Sequence, residues 1–125
     1  MKIKNLFLVC ALFFSLESFG LSISVEIVRS TSDALSVSLE AELKQRISYS
    51  QDFVLSRGAK SELELLIAQP LKVKKLANST QVSYTVNFVT QQSVLSASSG
   101  SCWQDQISEC AEQILRDAKL NLRPN

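Results

Sequence analysis

The chain has 125 residues, 46% hydrophobic and 20% charged, with a formal net charge of +1. That composition fits one globular domain and excludes disorder, and its balanced charge argues against partners recognised by bulk charge, such as nucleic acid. Histidine is absent, which removes the commonest general base, zinc ligand and pH switch, and three glycines with two prolines leave no glycine-rich loop or collagen-like architecture.

The first twenty residues read as an address. Lys2 and Lys4 precede an apolar run from Leu6 to Leu16, and Ser18-Phe19-Gly20 supplies small residues for a cut site. These are the three parts of a secretory signal peptide. The run is too short for a spanning helix, which needs about 20 apolar residues. Cys10 lies inside the run, badly placed for lipidation. Residues 1–20 are therefore expected to be a signal peptide, with cleavage after Gly20 and Ser22 as the second choice. Residues 21–125 are expected to form a single periplasmic or secreted domain with no integral membrane span. Cleavage removes Lys2, Lys4 and Glu17, which leaves acids and bases equal in number, and it removes Cys10. The remaining Cys102 and Cys110 would pair in an oxidising compartment.

Leu21, Ile23, Val25 and Ile27 alternate with polar residues, which predicts a half-buried strand. Ser32 or Asp33 can cap a helix. Ala34 to Tyr49 carries two periods, with Leu35, Val37 and Leu39 alternating while Leu35, Leu39, Leu43 and Ile47 recur at four. The strong helix formers from Leu39 to Arg46, with Glu40/Lys44 and Glu42/Arg46 spaced for ion pairs, decide for a helix. Short strands are predicted at Asp52–Ser56 and Glu62–Ala68, then a stretch from Leu71 to Leu76 beyond Pro70. Proline there marks an edge or a bulge. Gln81–Thr90 alternates best, with Val82, Tyr84, Val86 and Phe88 on one face. A last short strand, Ser93–Ser96, completes an antiparallel meander. Ser96–Ser101 reads as a polar lead-in to the final helix, whose stripe runs through Trp103, Ile107, Cys110, Ala111, Ile114, Leu115, Ala118 and Leu122. The expected fold is an α/β (α+β) two-layer sandwich in the order β-α-β-β-β-β-α. Its mixed sheet of four or five strands carries both helices on one face.

No nucleophile elbow, phosphate-binding glycine loop or zinc ligand set is present. No cofactor, metal or catalytic activity is expected. Ser61 beside Lys60 reads as a solvated loop. The pairs Glu40/Glu42 and Glu62/Glu64 have no apolar pocket to raise a carboxyl pKa. Asn78-Ser79-Thr80 matches a glycosylation sequon, but a hairpin turn is needed there anyway. Lys72, Lys74 and Lys75 form the one basic cluster. Their first reading is protection of an exposed strand edge; the second is contact with an anionic or acidic partner. Trp103 is a candidate recognition residue, although its spacing from Ile107 favours the core. These four are the candidate partner-contact residues.

The element order, with Phe53-Val54-Leu55, Ala59-Lys60-Ser61-Glu62-Leu63-Glu64-Leu65, Tyr84-Thr85-Val86-Asn87-Phe88, Ser93-Val94-Leu95-Ser96 and a helix bearing Ile107, Ala111 and Ile114, resembles the small N-terminal domain of TolB. It is similar also to related modules of envelope lipoproteins that assemble curli or activate cell-wall synthases. The resemblance spans Ser22 to Leu120 and rests on element order and hydrophobic spacing. It implies a non-enzymatic docking module of the cell envelope and carries over no site residue. The sequence departs from the family in its Cys102/Cys110 pair, and in having neither the TolB propeller nor a lipid-anchor cysteine. The expected function is an exported, non-catalytic protein-binding or envelope-assembly accessory whose partner is another envelope or secreted protein. The alternative is a secreted inhibitor or effector.

The cysteines constrain the last helix. A helix capped by Ser101 would hold both, about 12 Å apart, whereas a disulfide needs Cα atoms within about 7 Å. A helix capped by Asp105 would let Cys102 fold back. Export and the even cysteine count favour the bridge.

Overall fold

Alternation at period two is realised in strand β1 (Ile23–Arg29), and the ambiguous segment after it is helix α1 (Ala34–Ser48). The structure, a computed structural model, describes residues 22–56, 61–90 and 93–122. The expected signal segment and Lys60 lie outside the described residues. Asp33 caps α1 by accepting a hydrogen bond from the Ser36 amide. The helix buries Leu39, Leu43 and Ile47, the stripe spaced at four. Three such side chains contribute on the order of 5–9 kcal/mol, well above what the surface ion pairs on the opposite face can supply. Burial therefore decides for the helix. Lys44 reaches Glu40 at 3.0 Å as the spacing predicts, but Arg46 turns to Glu112 at 3.3 Å.

Strands β2 (Phe53–Leu55) and β3 (Leu63–Ile67) both pair parallel to β1, one on each side. The expected strand–helix–parallel strand start is present. After β3 come β4 (Lys72–Leu76) and β5 (Ser79–Val89), and both β3 and β4 run antiparallel to β5 along the same edge. Leu66 faces Asn87 and Lys72 faces Ser83. Ile67 to Leu71 thus lie opposite Tyr84, Thr85 and Val86 alone, and the excess, with Pro70 in it, breaks one long strand into β3 and β4.

The last strand departs most from expectation. β6 runs from Val94 to Trp103 and pairs with β5 along nearly its whole length. The serines expected to lead into the helix are strand residues. The sheet has six strands, not four or five, and reads β2-β1-β3-β5-β6 across, with β4 continuing β3. A 3-10 turn (Gln104–Gln106) then leads into helix α2 (Ile107–Leu122), which starts two residues after Asp105. Cys102 belongs to β6 and Cys110 to α2, their Cα atoms 5.6 Å apart and their sulfurs bonded. The bridge is thus possible because Cys102 lies in the strand.

Both helices cover one face of the sheet, and the core between the layers takes Val25, Leu63, Leu65, Ile67, Val82, Val86 and Phe88 from the strands. Arg29, at the end of β1, donates to Glu40 of α1 at 2.7 Å and to the Thr31 carbonyl. The Arg29 hydrogen bond, aided by Lys44, holds the Glu40 carboxyl below its ordinary value of 4.5 against the cost of partial burial. Under α2, Tyr84 donates to Gln113 Oε1 at 3.1 Å and Ser98 donates to Asp117 Oδ2 at 2.6 Å. Gly100 permits this approach, since a Cβ there would lie 2.7 Å from Gln113 Oε1 and 2.8 Å from the Tyr84 hydroxyl.

Three outcomes are expected. Gly100→Ala should lose about 1–3 kcal/mol in urea unfolding, because the buried Tyr84 ring has little room to move. A purified chain of residues 21–125 should be lighter than its dithiol form by two hydrogens on non-reducing mass spectrometry, and Cys102→Ser with Cys110→Ser should cost about 2–3 kcal/mol. Glu40 has a lowered folded-state pKa, so its contribution is present above the unfolded carboxylate pKa and fades as pH falls through the folded value. Glu40→Gln should therefore destabilise by up to about 1 kcal/mol at neutral pH, and the difference should vanish in urea melts at the acid end.

Candidate functional site

Side chains alternate across a sheet, so the register sorts each candidate residue to the helix side or to the uncovered side. On β5, Val82, Tyr84, Val86 and Phe88 are buried under the helices, and Gln81, Ser83, Thr85 and Asn87 point away. On β6, buried Cys102 faces Val82, so its neighbour Trp103, opposite Gln81, lies on the uncovered face. Trp103 is 39% exposed. The expected core position for this residue is therefore corrected. Its four-residue spacing from Ile107 carries no meaning, because Trp103 precedes the helix and ends a strand.

Lys72 pairs with Ser83 and Lys74 with Gln81, which puts both lysines on the same uncovered face as Trp103. Lys74, Gln81 and Trp103 form one row across three strands, which sets the outer two about 10 Å apart. Lys75 faces Thr80 and projects to the helix side. There it lines an open depression of about 690 Å3 with the β4–β5 turn, Gln104 and Asp105. The structure thus brings together three of the four candidate partner-contact residues and separates Lys75. Asn78 sits in that exposed β4–β5 turn, where the hairpin needs it.

At the other end of the uncovered face, Glu26 and Glu64 lie directly opposite each other on β1 and β3. Sequence reasoning paired Glu64 with Glu62, two residues away. Glu62 instead precedes β3 and accepts hydrogen bonds from the Ser24 amide and hydroxyl. Only the parallel register, which no local signal encodes, brings Glu26 to Glu64. Two carboxylates facing across strands repel, and none of the salt bridges among the described residues neutralises either of them.

The remaining polar clusters are structural. Ser98 has an acidic neighbour in Asp117, but it is buried and spends its proton on that carboxylate. Burial holds the Tyr84 phenol above its ordinary value of 10, so it stays a neutral donor to Gln113. A second depression, about 460 Å3, lies between the helices over Glu42, Arg46, Tyr49 and Ser108. Among the described residues, no three cysteine or carboxylate side chains gather as a metal site, and no helix is long and apolar enough to cross a membrane.

No protein-family model matches the sequence, and no curated protein matches it. Among solved structures, the chain is similar to a minor lipoprotein from Acinetobacter baumannii, with a TM-score of 0.53 and 17% identity over 81% of this chain and 94% of that one. It is also similar to TolB from Acinetobacter baumannii, with a TM-score of 0.51 and 12% identity over 81% of this chain. That match covers 28% of TolB, so this chain spans less than a third of TolB's length. At these identities the likeness to the minor lipoprotein and to part of TolB is one of fold alone.

Proposed function

We propose that this chain is an exported, non-catalytic accessory module of the cell envelope that binds another protein by accepting a strand along β6. The carrying observation is the contrast between two strands that each pair on one side alone among the described residues, β4 and β6. β4 is five residues long and exposes Lys72, Lys74 and Lys75, next to Pro70. Lysine and proline on a short strand are devices that discourage strand addition. β6 is ten residues long, contains neither charge nor proline, and pairs on one side alone among the described residues. Its start exposes Val94 and Leu95. A partner strand laid there gains main-chain hydrogen bonds along the edge and side-chain contacts at alternate positions. The signal-like N-terminus and the fold shared with an envelope lipoprotein and TolB support an envelope location.

The test compares the mature chain with an Ala97→Lys/Ser99→Lys variant, two exposed positions given the same guard residues that β4 carries. Both proteins are cross-linked in the native host's envelope fraction and the adducts identified. One envelope protein captured by the wild type and lost in the variant, with unchanged circular dichroism, is the expected result. Equal capture by both would remove the edge from the reading. Accumulation in the culture medium with no envelope adduct would replace the reading with that of a secreted inhibitor or effector.

A further inference from the structure

The uncovered face of the sheet has an order that the edge reading does not use. Glu26 and Glu64 stand at one end. Lys72 and Lys74 stand at the other, six residues along β5, which is about 20 Å. Glu64 shares one lane with the lysines, because β4 continues β3 beside β5, and Glu26 stands one lane over on β1. None of the four charges enters the salt bridges formed among the described residues. Apolar groups are also split between the ends. Trp103 closes β6 beside the lysines, while Leu95, 49% exposed and two residues before the outward Ala97, opens it at the glutamate end. Hydroxyl and amide side chains such as Thr85 and Ser99 fill the middle.

We propose that this face is a contact surface for a second copy of the chain, packed face to face about a two-fold axis that runs across the strands. That rotation lays each lane on its own copy in reverse. Glu64 of one copy then meets Lys72 and Lys74 of the other, with Glu26 about 5 Å to the side on the next lane, and Trp103 meets the second copy's Leu95. A two-fold axis along the strands would instead stack glutamate on glutamate and lysine on lysine, because β3 and β4 hold the middle lane of the sheet. Like charges brought together across an interface are costly, so the charge order selects the first axis. The self-complementarity is what an isologous interface requires. It also gives the facing Glu26 and Glu64 carboxylates the cations that none of the salt bridges among the described residues supplies. The face measures roughly 30 by 20 Å, on the order of 600 Å2 per copy, the lower end for specific contacts. The dimer is accordingly weak and sensitive to salt.

Sedimentation of the mature chain over a wide concentration range tests the proposal. A reversible monomer–dimer equilibrium that weakens with added salt is expected. Glu26→Lys/Glu64→Lys should weaken it by more than about tenfold, and so should Lys72→Glu/Lys74→Glu. Mixing the two variants should restore a one-to-one heterodimer, since one face is then wholly basic and the other wholly acidic. Trp103→Ala should weaken the wild-type dimer several-fold. A wild-type chain that stays monomeric throughout, or a dimer that neither charge-reversed pair affects, overturns the proposal. A dimer lost in Ala97→Lys/Ser99→Lys yet unchanged in both charge-reversed pairs assigns self-association to the β6 edge and overturns it equally. Strand capture by the Glu26→Lys/Glu64→Lys variant reads the edge separately from the face.

Discussion

Helix α2 can close over β6 only because Gly100 leaves room for Tyr84 and Gln113 to meet beneath it. The rest of the C-terminal half depends on that approach. Ser98 comes within reach of Asp117, the Gln113 amide reaches the Ser101 carbonyl at 3.4 Å, and Cys102 lies where Cys110 can bond to it. Hydrogen bonds between buried side chains contribute little net energy each, but a partner removed leaves a costly orphan. The junction is thus a set of contacts that hold together or fail together. The disulfide adds a covalent limit on how far strand and helix can part in the unfolded chain.

Much of this fold is legible in the sequence where burial writes a period. β5 declares itself through Val82, Tyr84, Val86 and Phe88, and α1 through Leu39, Leu43 and Ile47. β6 beyond Ser96 is hidden because its core-facing positions are Ser98, Gly100 and Cys102, which give no run of large apolar residues at period two. A strand whose inward face is packed by hydrogen bonds reads as a loop. The misplacing of Trp103 has the same origin. With β6 expected to end at Ser96, the tryptophan joins the helical stripe by coincidence of spacing, and only the strand's alternation turns it outward.

The candidate surfaces are legible to differing degrees. The lysines of β4 stand out from residue order alone, as a basic cluster on a strand-like stretch beside proline that suits an exposed edge. That Lys75 parts from Lys72 and Lys74 is a matter of alternation. The Glu26–Glu64 pair and the unguarded edge of β6 depend on which strands are neighbours, and neighbour relations between distant segments leave no mark in local composition. Function in a one-sided sheet is written largely in such relations, because the uncovered face is assembled from alternate residues of several strands.

The parallel pairing of β1 bears on the order in which the chain can fold. β4, β5 and β6 are separated by only a few residues of sequence and can find one another as a local unit. β1 must wait for β3, which arrives only after α1, β2 and the intervening loop have been made. Closing that longer loop costs more chain entropy before any contact repays it. A chain threaded across a membrane N-terminus first would therefore present β1, with its unpaired Ile23, Val25 and Ile27, to the far compartment before its partner strands emerge. In a chain exported that way the first strand would be the stretch longest without its partners, while the disulfide that fastens the last one would form only after Cys110 had crossed.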